Sequence, residues 1–116
     1  MHIFFKSSFV ILVVTFLALA MFSLNHKKEV KEVDLVIKNH YFEPAELVIP
    51  PNTKIKLVIS NLDDTVEEFE SLDLKRERIV PGKGKIKVAV GPLPAGRYKF
   101  FGEFHEKTAQ GTLVVK

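Results

Sequence analysis

The chain has 116 residues, 47% of them hydrophobic, a formal net charge of +3 and no cysteine. The missing cysteines exclude disulfides, thiolate metal sites and thiol nucleophiles together. Beyond residue 27 acids and bases nearly balance, and the lysines alternate along apolar runs instead of forming a basic stripe, so nucleic acid is not expected as a partner.

At the N-terminus, Ser7 to Leu24 (SSFVILVVTFLALAMFSL) carries no charged residue and approaches membrane-spanning length. Lys6 precedes it, HKKEVK follows it, and Ala18-Leu19-Ala20 offers a small-x-small cleavage site. Residues 1–26 therefore read as one hydrophobic helix, either a signal peptide or an anchor in the inner membrane through residues 7–24. Both alternatives place the rest of the chain in the periplasm or another extracytoplasmic space. Residues 27–32 form a charged spacer, and residues 33–116 suffice for one domain.

From there the period is two. VDLVIK (33–38), ELVIP (46–50), TKIKLVIS (53–60), KIKVAV (85–90), GRYKFFGEF (96–104) and GTLVV (111–115) are predicted strands. Pro50-Pro51-Asn52, Asn61 to Asp64, PGKG (81–84) and GPLPAG (91–96) are turn signals between them, with PGKGK (81–85) read as a hairpin turn. SLDLKRERIV (71–80) is ambiguous between a strand with a loop and a brief helical turn. Short strands at this spacing predict an antiparallel sandwich or barrel.

Strand pleating puts Tyr98, Phe100, Gly102 and Phe104 on one face, and Lys99, Phe101, Glu103 and His105 on the other. In EEFES (67–71), Phe69 faces one way and Glu68 and Glu70 the other. Phe69, Phe100 and Phe104 are thus expected in the core.

Five acids crowd DDTVEEFE (63–70), where like charges repel unless solvent, nearby Lys75, Arg76 and Arg78, or a cation offsets them. Glu68 and Glu70 can present oxygens from one strand face, and Glu103 and His105 share a face at the entry to a loop. His40, in KNHYFEP, reads as a surface turn residue. Enzymatic constellations are thin. Ser60 and Ser71 lack a nucleophile-elbow context, PGKGK lacks the strand-loop-helix setting of a phosphate cradle, and paired carboxylates on so small a sandwich leave little room for a sugar cleft.

From about residue 33 to the end, the order of Phe42 and Pro44, Pro51 and Asn52, Asn61 and Asp63, Pro81 and Gly82, then Pro94, Gly96 and Tyr98, resembles the cupredoxin-like family. The resemblance implies an all-β Greek-key β-sandwich of about 7–8 strands, here preceded by the N-terminal hydrophobic helix. It also exposes departures. Gly102 stands where a blue-copper protein carries its thiolate, Ala109 replaces the axial methionine, and the Glu67 to Glu70 run replaces the first histidine, while His105 occupies the family histidine. A type 1 copper centre needs two histidines and a cysteine, so it is not expected.

EEFES and FFGEFHEKTAQG further resemble the cysteine-poor periplasmic branch associated with bacterial iron uptake. That resemblance implies an iron or copper ion held by Glu68, Glu70, Glu103 and His105, with Glu67 and Glu77 as less central ligands. It also implies a role in iron oxidation or delivery to a membrane iron permease or other iron-uptake components, as an accessory and not as an enzyme in its own right. The alternative is a metal-free sandwich, tethered at the membrane, that serves as an interaction module.

Overall fold

In the computed structural model, residues 30–116 are described; the predicted hydrophobic helix lies outside them. Nine strands build the domain: β1 (Lys31–Lys38), β2 (Tyr41–Glu43), β3 (Glu46–Ile49), β4 (Ile55–Asn61), β5 (Glu67–Ser71), β6 (Arg76–Val80), β7 (Lys85–Val90), β8 (Gly96–Phe101) and β9 (Gln110–Val115). They form a four-stranded sheet ordered β2-β1-β4-β7 and a five-stranded sheet ordered β3-β9-β8-β5-β6. This is an all-β sandwich of the predicted kind. Its core is aliphatic and aromatic, with Leu35, Ile37, Leu57, Ile59, Phe69, Val80 and Leu113 fully buried. These residues recur at every second position in β1 and β4 because each strand shows one face to the opposite sheet.

Three expectations are corrected. Pairing is not purely antiparallel: β1 runs parallel to β4, and β3 parallel to β9. The chain leaves the first sheet after β2, lays down β3 in the second, and returns for β4 beside β1, so strands joined by a crossing end up parallel. PGKG is not a hairpin turn, because β6 and β7 lie in different sheets. It is a turn, closed by Gly84 N–H donating to Pro81 C=O at 2.8 Å, that carries the chain from one layer to the other. Finally, β8 stops at Phe101, and Glu103–His105 form a single 3₁₀ turn, leaving Phe104 48% exposed instead of in the core.

The ambiguous stretch resolves into a turn over 72–75 and then β6. The three-residue β2 went unpredicted because so short a run carries little periodicity. Where the edges β6 and β7 meet, Arg76 Nε donates to Ala89 C=O (3.0 Å) and an Arg78 nitrogen to Lys87 C=O (3.3 Å). Side chains thus satisfy carbonyls that an open sheet edge leaves unpaired.

Beneath one end of the sandwich sit Phe42, Phe69 and Phe100. Phe42 meets Phe100 edge-on at 5.0 Å between ring centroids, and Phe69 lies 5.2 Å from Phe100. Phe42 follows His40 by two residues and Phe69 follows Glu67 by two, so this aromatic floor leads directly to the polar end of the domain.

Candidate metal centre

Strand β5 decides which acids can meet which histidines. Its pleat sends Glu67, Phe69 and Ser71 towards the interior, where all three are buried, and Glu68 and Glu70 to the outer face. Glu67 therefore enters the end of the core above Phe69, its side chain only 1% exposed. Two imidazoles meet it there. Nδ1 of His40 lies 2.6 Å from Glu67 Oε1, and Nδ1 of His105 lies 3.0 Å from Glu67 Oε2. The two rings stack at 3.6 Å between centroids and 15° between planes. Each keeps about a third of its side-chain surface open, 39% for His40 and 32% for His105.

Where the Glu67 oxygens accept, both Nδ1 atoms donate, and the second nitrogen of each ring is Nε2. An open depression of ≈ 480 Å³ beside the rings is lined by His40, Phe104, His105, Lys107 and Thr108, among others.

Each residue reaches this point by a different local device. His40 sits in the two-residue loop of the β1–β2 hairpin, whose register pairs Lys38 with Tyr41. Asn39 (φ 52°) and His40 (φ 64°) are both left-handed, as the twist of such a loop requires. His105 ends the 3₁₀ turn between β8 and β9, and its backbone carbonyl accepts from Ala109 N–H at 2.8 Å. Thr65 adds a hydroxyl bond to Glu67 Oε1 at 3.3 Å.

The outer face holds a second group. One oxygen each of Glu68, Glu70, Glu77 and Glu103 lies within 4.8 Å of the others, and one ligand atom each of His40, Glu67 and His105 lies within the same distance of its two partners. Glu68 is buried because the 3₁₀ turn folds over it, with Glu103 N–H donating to Glu68 Oε1 at 3.0 Å. Desolvation, then the charges of Glu68, Glu77 and Glu103, push the Glu70 carboxyl above the ordinary glutamate range.

The residues singled out from the sequence are thus divided. Glu68, Glu70, Glu103 and Glu77 come together, whereas His105 joins Glu67 and His40. The i, i+2 argument placed Glu103 and His105 on one face, but it holds for a strand. At three residues per turn, a 3₁₀ turn rotates successive side chains by about 120° and separates them. His40 was read as a surface turn residue. Its signal lay in the fit of Asn39-His40 as a two-residue loop between apolar runs, and in the parity of Glu67 with Phe69.

Does the blue-copper set fit here? A Cβ on Gly102 would stand 2.8 Å from the backbone oxygen of Glu68 and 3.0 Å from Ala109 Cβ. Ala109 itself is buried in the core. With no cysteine in the chain and no room for a side chain at this point, a type 1 copper ion does not fit. Two imidazoles and one carboxylate would instead make, once an ion replaces the ring protons that bridge them, a nitrogen and oxygen set suited to Cu(II), Zn(II) or non-haem iron.

Comparison with known proteins identifies the fold. The family model described as a cupredoxin-like domain matches residues 9–115. An uncharacterized protein of Rickettsia prowazekii (strain Madrid E) is 50% identical over 84 residues, covering 72% of this chain and 67% of its own length.

Among solved structures, auracyanin A, a blue copper protein of Chloroflexus aurantiacus, superposes with a TM-score of 0.64 at 13% identity, over 76% of this chain and 100% of that one. The metal-binding domain of the Cu(I)-exporting P-type ATPase of Streptococcus pneumoniae D39 gives 0.62 at 11% identity, over 78% and 98%. A purple cupredoxin from Nitrosopumilus maritimus gives 0.57 at 18% identity, over 72% and 99%. At these identities the structural likeness speaks for the fold. The chain belongs to the family of cupredoxin-like domains.

Proposed function

We propose that this protein binds a copper or iron ion outside the cytoplasm, at the His40–Glu67–His105 centre, and delivers it to a permease in the membrane. The observation that carries the reading is the convergence of two imidazoles on one buried carboxylate at the loop end of a fold whose relatives include copper-binding proteins. The donor set favours delivery over redox cycling. Without thiolate or thioether it stabilises Cu(II) against Cu(I), so bound copper is a weak oxidant for iron. The half-open rings let an ion enter and leave. The outer carboxylates Glu68, Glu70 and Glu103, with Glu77, are hard oxygen donors that would favour Fe(III) over Fe(II). The uncharged stretch Ser7–Leu24 supports export, with or without anchoring.

Calorimetric titration of the full chain with Cu(II), Fe(III) and Zn(II) tests the reading. Binding tighter than millimolar that is lost in His105→Ala and in His40→Ala supports it. Electron paramagnetic resonance of the Cu(II) form should report nitrogen coupling without the intense colour of a thiolate site. A reporter enzyme that matures only outside the cytoplasm, fused after Lys116, should be active if the chain is exported.

A second reading has its own observation. Both oxygens of Glu67 are already matched by histidine nitrogens, so the three residues can satisfy one another with no ion. If none of the three ions binds, this hydrogen-bonded cluster belongs to a metal-free interaction module at the membrane.

A further inference from the structure

We propose that Asp63 is the positioning residue of the His40–Glu67–His105 centre, fixing His40 in place before an ion arrives. The inference rests on reading those three residues as one centre. Glu67 is placed by the pleat of β5 and His105 by the 3₁₀ turn, but His40 stands in a loop of two consecutive left-handed residues, neither of them glycine. Such a conformation persists only when its surroundings over-determine it.

The Asp63 carboxylate supplies that determination. Oδ1 accepts Asn39 N–H at 2.8 Å and Oδ2 accepts His40 N–H at 3.0 Å, so one side chain fixes both strained peptides. From the other side, the Thr108 hydroxyl donates to His40 C=O at 2.6 Å. With its N–H and C=O both held, the His40 backbone is fixed where the ring reaches Glu67, Nδ1 lying 2.6 Å from Glu67 Oε1 and 3.6 Å from Asp63 Oδ2. Asp63 is itself anchored: its N–H donates to Asn61 Oδ1 (2.9 Å) and its carbonyl accepts Lys83 N–H (2.8 Å). Asn61 is 1% exposed, and its amide nitrogen donates to the carbonyls of Thr65, Val80 and Pro81. A buried asparagine thus fixes an aspartate, and the aspartate fixes a histidine in the β1–β2 hairpin.

The test uses the full chain in detergent with Asp63→Ala and Asp63→Asn, read in two ways. Imidazole ¹⁵N resonances of the metal-free protein report the Nδ1 hydrogen bonds of His40 and His105 separately, and Cu(II) titration reports affinity. In Asp63→Ala the His40 signature should change while that of His105 stays, and Cu(II) affinity should fall by about ten- to a hundredfold, as for other residues that orient metal ligands. Asp63→Asn keeps a single acceptor oxygen and should fall between.

Unchanged His40 resonances overturn the proposal, and so does a displaced His40 with undiminished affinity. If Asp63→Ala does not fold, Asp63→Asn decides on the same two readouts. If the unsubstituted protein binds no Cu(II), the metal reading fails by itself, and the metal-free resonances alone decide whether Asp63 positions His40.

Discussion

Glu67 is the residue on which the centre turns. A carboxylate at a fully buried strand position is tolerated because each oxygen has a donor, and among the described residues no buried side-chain nitrogen or oxygen lacks a partner. Glu67→Ala should therefore cost about 2–4 kcal/mol, from the lost side-chain volume and the two ring nitrogens left without their acceptor. Urea unfolding would measure this, and the same variant should lose Cu(II) binding. Gly102 imposes the complementary restriction, since the Glu68 carbonyl occupies the space a Cβ would need. Gly102→Ala should destabilise by about 1–3 kcal/mol through forced displacement of β5. Gly102→Cys, although it returns a thiol to the family position, should not give a blue-copper spectrum.

At the scale of elements, three connections meet at one end of the sandwich: the 39–40 loop, the 61–66 loop and the 81–84 turn. Asp63 accepts hydrogen bonds from Asn39 and His40, and Asn61 donates to the Pro81 carbonyl, which joins the three. Burial alone would raise the Asp63 carboxyl, but the backbone N–H groups of His40 and Asn39, helped by the charges of His40 and Lys83, hold it below the ordinary aspartate range. A group that binds its proton more weakly in the fold stabilises the protein above its unfolded value, near pH 4, and this stability is lost as the pH falls through the lower folded value. Glu70 has the opposite sign. Its raised value means that ionisation opposes folding, so the protein gains stability as acid protonates it. Melting temperatures across the acid range should show a shallower acid loss in Asp63→Asn than in the unsubstituted protein. Glu70→Gln should lack the acid gain and be the more stable near neutrality. On the opposite flank, replacing Arg76 and Arg78 by alanine should cost about 1 kcal/mol and promote association through the uncovered β7 edge, which light scattering would detect.

For the whole molecule, stability and function are coupled through whatever ion the centre holds. The domain is small and has no disulfide to close its loops, so its stability rests on the aliphatic and aromatic core and on the polar network at the loop end. An ion that binds only the folded state should add about 2.7 kcal/mol at a free concentration 100 times its dissociation constant. Thermal unfolding with and without Cu(II) should show this, and a chelator should reverse it. In His40→Ala the increment should vanish, and the metal-free melting temperature should fall as well, because buried Glu67 Oε1 loses its ring donor.

Much of this was legible in the sequence because strand structure is written in short-range pattern. Alternation in KIKVAV specified a strand whose ends, at Lys85 and Val90, fall where the residues indicated. The turn signals fixed the spacing, and the ordered motif residues from Phe42 to Tyr98 pointed to the cupredoxin-like fold. The separation of Glu68 and Glu70 from Phe69 followed from the pleat alone. What the sequence could not supply was the meeting of His40, Glu67 and His105, which lie 27 and 38 residues apart along the pairs that touch. That meeting depends on the crossing between sheets that makes β1 and β4 parallel, and on a loop that leaves strand geometry at Gly102. Periodicity reports which face a residue takes, but only tertiary packing decides what stands opposite it.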